Sequence, residues 1–196
     1  MTAFSETLLQ IATDRALGKE TVDLDPVAEE LLNIYMHDPN SSTLREEITT
    51  RVAGCKSLPG KLGRDCIHEE TGIEKEVKPK NYTNKATNGG GCFNDYTRAR
   101  WEKDSAANLP MIQSLFVDGK LQYVVEYDFD AIKDRLDEQI TNICEVEGNR
   151  YVRSASWTYK HWIDHPSLKI HYMNLSELAE NQGTICKPFL QKLIKK

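Results

Sequence analysis

The sequence contains no apolar run near the roughly 18 residues that crossing a bilayer requires, so a membrane-spanning helix is excluded. Its first residues, MTAFSETLLQIATDR, lack the basic start and continuous apolar block of a secretory signal, and a cytoplasmic location is expected. The five cysteines (Cys55, Cys66, Cys92, Cys144 and Cys186) are scattered, odd in number and without a CxxC pair. That spacing disfavours a disulfide framework. It also disfavours structural zinc, for which Cys66 and His68, with Cys55 and Cys92 as distant partners, would have to serve. Overall positive charge is missing too. The chain carries a net −5, which as a total argues against a nucleic-acid partner. The acids are concentrated, however: through Thr50 ten of them face only Arg15, Lys19 and Arg45, a net of −7, which leaves +2 for the remainder. An acidic head on a locally basic body is compatible with a DNA clamp, because local potential matters more than the sum.

What is present suits a soluble globular chain of one domain over residues 1–196. Three helices are expected first. SETLLQIATDRAL is capped by Ser5, and DPVAEELLNIYMHD has Asp25 as cap and Pro26 at its first position. SSTLREEITTRVAG starts at Ser41 or Ser42 and stops at Gly54. Their apolar faces suit either the body of the protein or a second subunit. SLPGKLG is a turn-rich break, followed by two strand-like runs, RDCIH and GIEKEVKPK. YTNKATNGGG reads as a polar loop leading into a helix, NDYTRARWEKD, capped by Asn94 or Asp95. MIQSLFVDGKLQYVVEYDF is the clearest signal: two β-rich runs around Asp118-Gly119, a hairpin turn pair. FDAIKDRLDEQI then reads as an amphipathic helix, RYVRSASWTYKHW and LKIHYMN as strands, and SELAENQ and KPFLQKLIKK as short helices. The order predicts an α/β (α+β) protein with a mixed sheet flanked by helices.

One strand has an unusual face. In GIEKEVKPKN, alternation puts Glu74, Glu76, Lys78 and Lys80 on one side and Ile73, Lys75 and Val77 on the other. If the loop Glu69-Glu70-Thr71-Gly72 closes a symmetric hairpin, His68 lies opposite Ile73 and Asp65 opposite Glu76. The two carboxylates then stand about 5 Å apart at Cβ, which is unfavourable without a counter-ion. A hard divalent cation resolves the repulsion, and Mg²⁺ takes one or two carboxylates plus waters and phosphate oxygens. Lys78 beside it could orient a water or stabilise charge building on phosphorus. The plainer alternative is a solvated salt-bridge ladder in which Lys78 pairs with Asp65 and Glu76.

The segment GRDCIHEETGIEKEVKPKN resembles the D…(D/E)xK core of the PD-(D/E)xK nucleases, with Asp65, Glu76 and Lys78 in the three positions. Its spacing, intervening glycine and preceding LPGKLG are similar to the PvuII type of type II restriction endonucleases, a likeness running from about Ser57 to Phe129. The resemblance implies a restriction-endonuclease-like core and a Mg²⁺-dependent homodimer that cuts both strands of duplex DNA at a short palindrome. In it Asp65 and Glu76 hold the metal, Lys78 positions or activates the attacking water, and a 5′-phosphate is left. Residues 1–56 would then be a helical segment suited to dimerisation, 57–130 the catalytic core, and 131–196 a part with a DNA-contacting strand. Arg64 stands where the nominal motif has proline. Gly90-Gly91-Cys92 stand where the PvuII type reads bases with histidines, so a target sequence does not carry over.

Further candidates surround this core. Asn88, Asn94 and Asp95 suit base-edge contacts, since Asn pairs bidentately with adenine, although Asn94 is equally a helix cap. Lys80, Lys85, Arg153 and Lys160 suit phosphates, and so does Arg98 or Arg100, which lie on different faces of one helix so that at most one should face DNA. RYVRSASWTYKHW mixes bases with aromatics, as a groove-reading strand does, while Tyr151, Trp157 and Tyr159 could as simply be core. Glu74 and His68 are accessory candidates beside the metal. Two rivals share the fold: a resolvase or repair nuclease that reads DNA shape, and a non-catalytic DNA-binding protein.

Overall fold

The structure is a computed structural model in which residues 5–38, 42–59, 63–82, 87–181 and 183–196 are described. The N-terminal helices form as their caps predict. Helix α1 (Glu6–Ala16) begins where the Ser5 side chain accepts from the Leu8 N–H, and α2 (Pro26–His37) where Asp25 accepts from Val27 and Ala28. Helix α3 (Thr43–Val52) follows Ser42, whose side chain makes no cap bond, and runs out at Gly54, held at φ +69°.

The strands β1 (Cys55–Ser57), β2 (Cys66–His68), β3 (Glu74–Asn81), β5 (Met111–Val117), β6 (Lys120–Tyr127) and β8 (Lys169–Met173) build one mixed sheet in the order β1-β2-β3-β5-β6-β8. Only β3 and β5 run parallel, and the chain between them supplies β4 (Gly91–Tyr96) and α4 (Arg98–Ala106). Asp118 and Gly119, both at positive φ, turn β5 into β6 as expected. Helices α1–α3 cover one face: Leu9, Leu44 and Ile48 meet Val77, Ile112, Phe116 and Val124 there. The N-terminal segment therefore packs on the body. The other face is closed by α5 (Asp130–Ile140), a π-helical turn (Thr141–Val146), α6 (Tyr159–Trp162), α7 (Leu175–Glu180) and α8 (Lys187–Leu193), around Tyr127, Phe129, Trp162 and Phe189. Among the described residues no helix is long and apolar enough to cross a membrane.

Three expectations are corrected. β1 lies within what reads as helix end and turn. NGGGCFNDY is not loop and helix cap: it contains β4, which pairs with β7 (Val152–Trp157) in a separate two-stranded ribbon, and Thr97 caps α4 through the Arg100 N–H. RYVRSASWTYKHW is not one strand, because β7 ends at Trp157 and α6 begins at Tyr159. The glycines are why the ribbon was hidden. A Cβ on Gly91 would stand 2.5 Å from the Trp157 ring, and one on Gly90 2.2 Å from the Trp157 carbonyl oxygen, so only glycine lets β4 lie on β7 here. Gly91→Val should cost about 1–3 kcal/mol through overpacking, read as a lowered urea midpoint. An unchanged midpoint would show that the ribbon yields freely.

Candidate active site

The register of the charged hairpin is the one that alternation predicts: Cys66 pairs with Lys75 and Ile67 with Glu74, and the His68 N–H donates to the Ile73 carbonyl. β2 stops at Cys66, which leaves the Val77 N–H beyond the ladder. Asp65, just before the strand, accepts that hydrogen through Oδ2 at 2.7 Å, which fixes its carboxylate beside Glu76. Past this point β3 has β5 on one side only, and Pro79 is tolerated there because it removes no ladder donor that a neighbour needs.

Glu76 is 3% exposed. Its Oε1 accepts from Lys78 Nζ at 2.5 Å and from Arg100 at 3.2 Å, while its Oε2 is buried with no hydrogen-bond partner. Such an orphaned oxygen costs desolvation energy with nothing in return. Burial and the Glu76 charge, only partly offset by Lys78 and the Val77 N–H, push the Asp65 carboxyl up to about 6. Both facts describe buried carboxylate oxygens that the protein leaves incompletely satisfied. The carboxylates open on a cleft of about 520 Å³ lined by Gly63, Arg64, Asp65, Glu76, Arg100 and Lys103.

The residue in the place of the motif's proline has its own partner. Arg64 donates to Asp104 Oδ1 at 2.7 Å, and the Tyr96 hydroxyl donates to Oδ2 at 2.9 Å, so this fully buried carboxylate is satisfied and anchors the chain next to Asp65. An all-oxygen pair with an unpartnered lobe and an open cleft fits a hard cation that keeps several waters. Among the described residues no three His, Cys, Asp or Glu gather to hold a metal, and a cation here would rest on two carboxylates.

The other candidates divide. Glu74 is exposed at the start of β3, on the same face as Glu76 but two residues along from it. His68 is not with them: alternation sets it on the opposite face with Cys66 and Lys75, its Nδ1 buried and unpartnered. Lys80 lies in β3, exposed, with Nζ 3.4 Å from the Gly90 carbonyl just before the ribbon. Lys85 lies outside the described residues. Asn88 folds its Oδ1 back onto the Gly90 N–H, which spends half of the amide.

Asn94 is exposed on the outer face of β4, directly opposite Ser154, with Cys92 opposite Ser156. Asp95 is also exposed, at φ +50°. Arg153 is exposed on β7, and Lys160 is exposed on α6 rather than on a strand. Trp157 and Tyr159 are core, whereas Tyr151 is exposed. Arg98 is held by Asp137 and Glu145 on the side of α4 facing α5.

Arg100, rather than Arg98, is the α4 cation that reaches the carboxylates. Its guanidinium lies 4.7 Å from the centroid of Phe93, an inward residue of β4, and 5.5 Å from that of Tyr96. Lys78 Nζ lies 5.1 Å from the same Phe93 ring. The Phe93 ring thus carries both cations of the site, while the next residue of β4, Asn94, is exposed. The sequence signal for Arg100 was its spacing of four from Asp104 on one helix face.

Comparison with family models yields no match, and none of the curated proteins matches the chain.

Proposed function

We propose that the chain is a Mg²⁺-dependent type II restriction endonuclease with a PD-(D/E)xK core, hydrolysing phosphodiester bonds of duplex DNA at a short palindromic site. The observation that carries this reading is that Asp65 and Glu76 line one cleft, with Glu76 Oε2 left unpartnered while Lys78 holds Oε1. Asp65 and Glu76 would hold the cation. When bound, it would supply Lewis acidity at the scissile phosphate and lower the pKa of a water. Lys78 orients that water and stabilises the charge that builds on the phosphoryl oxygens. The water oxygen loses a proton and bonds to phosphorus, the bond from phosphorus to the 3′ oxygen breaks, that oxygen takes up a proton to become a 3′-hydroxyl, and the phosphate stays on the 5′ oxygen of the downstream fragment. The β4–β7 ribbon is the groove-reading element, of the width a major groove admits, with Asn94 as its base-reading amide. Lys80, Arg153 and Lys160 serve the backbone.

Digestion of a long defined DNA with Mg²⁺, beside an EDTA control, tests the reading. Discrete fragments that EDTA abolishes are expected. A smear or nicks would indicate a nuclease that reads shape, and binding without scission a non-catalytic protein.

A palindrome calls for two chains about a two-fold axis. The surface that fits is α2, whose Val27, Leu31 and Ile34 are each more than half exposed on its outer side, next to a hollow lined by Leu8, Ala28, Leu32 and Leu44. A self-complementary apolar face of this kind suits an isologous contact with a second copy. Light scattering should give twice the mass of the chain, falling to the single mass in Leu31→Glu/Ile34→Glu. A monomeric wild type would remove the dimer from the proposal.

A further inference from the structure

Arg100 does not behave as a fixed structural cation. Its side chain is 37% exposed, and its Glu76 contact, at 3.2 Å, is longer than that of Lys78 to the same oxygen. Its Nε stands 3.6 Å from Asp104, a carboxylate already satisfied by Arg64 and Tyr96. The guanidinium rests on the faces of Phe93 and Tyr96, a platform along which a planar cation can slide without losing its support.

The charges give the direction. Asp65 and Glu76 are balanced by Lys78 and Arg100. A divalent cation at Glu76 Oε2 leaves the group two positive charges in excess. A phosphodiester that gains charge as water attacks restores neutrality. Arg64, Arg100 and Lys103 line the cleft, and of these Arg100 is the one that contacts Glu76 and can turn toward the phosphate.

Resting on the nuclease reading, we infer that Arg100 is an exchangeable counter-ion: it holds Glu76 while no metal is bound and passes to a backbone phosphate of the DNA when one is. The two roles move opposite quantities. Arg100→Met removes a competitor for Glu76, so Mn²⁺, followed by water-proton relaxation, should bind about fivefold tighter. The same variant should bind duplex DNA in Ca²⁺ roughly tenfold more weakly. Arg100→Lys, which keeps the charge, should restore most of both, and melting curves confirm that each variant is folded.

Equal Mn²⁺ affinity in wild type and Arg100→Met overturns the inference while leaving the nuclease reading intact. Weaker Mn²⁺ binding in Arg100→Met also overturns it, since Arg100 would then merely shape the site. Absence of Mn²⁺ binding by the wild type overturns both.

Discussion

Lys78→Ala should lower the Mg²⁺-dependent rate of strand scission by about a thousandfold, the loss expected when one group aimed at developing charge is removed. The fold should survive. Lys78 is partly exposed, and its removal leaves Arg100 on Glu76 Oε1, so the stability change should stay near about 1 kcal/mol. Single-turnover cleavage measured beside a urea titration separates the two effects. A variant that unfolds easily would trace lost activity to structure, whereas a stable variant that cuts at the wild-type rate would remove Lys78 from the chemistry. Lys78→Arg should recover little, because a planar fork cannot place a point charge where the ammonium stands.

The second large effect lies on the opposite face of the same strand. Lys75, only 4% exposed, donates to both oxygens of Glu126 at 2.8 Å, and His171 Nε2 lies 2.7 Å from Oε2. Burial works against the Glu126 charge, yet His171 and Lys75 overcome it and hold the carboxyl at about 2. Lys75→Met should therefore cost about 3–5 kcal/mol, since it strands a buried carboxylate.

The pH dependence has a definite sign. The folded pKa of Glu126 is depressed below its ordinary 4.5, so its contribution is complete above that value and is lost as pH falls toward 2. A shift of this size corresponds to about 3 kcal/mol. Urea unfolding across that window should show a steep acid slope in the wild type and a shallow one in Lys75→Met. Parallel slopes would mean that the network contributes no linkage.

Lys75 also shows where sequence reading ran out. Alternation sets it on the side of the strand away from Glu76, but not against what: its partner Glu126 lies 51 residues away, on β6. Arg64 with Asp104 and Arg98 with Asp137 and Glu145 are separated in the same way, so their charges look free until the fold closes. What was legible was local. The hairpin register followed from strand alternation and loop length, the β5–β6 turn from Asp118-Gly119, and the start of α2 from Asp25-Pro26. Asp65 and Glu76 could thus be set side by side from sequence. That Glu76 is buried with one oxygen orphaned, and that Arg100 reaches it from α4, could not. The β4 strand was missed because its glycines answer to Trp157 and Phe189, which sit on it from later in the chain.

The central claim is that the charged face of β3 is a divalent-cation cradle rather than a ladder of salt bridges, and calorimetric titration of Mg²⁺ tests it most directly. The account predicts one ion per chain in the wild type, and loss of that binding in both Asp65→Asn and Glu76→Gln with the fold retained. No binding by the wild type, or binding that both variants keep, would contradict it.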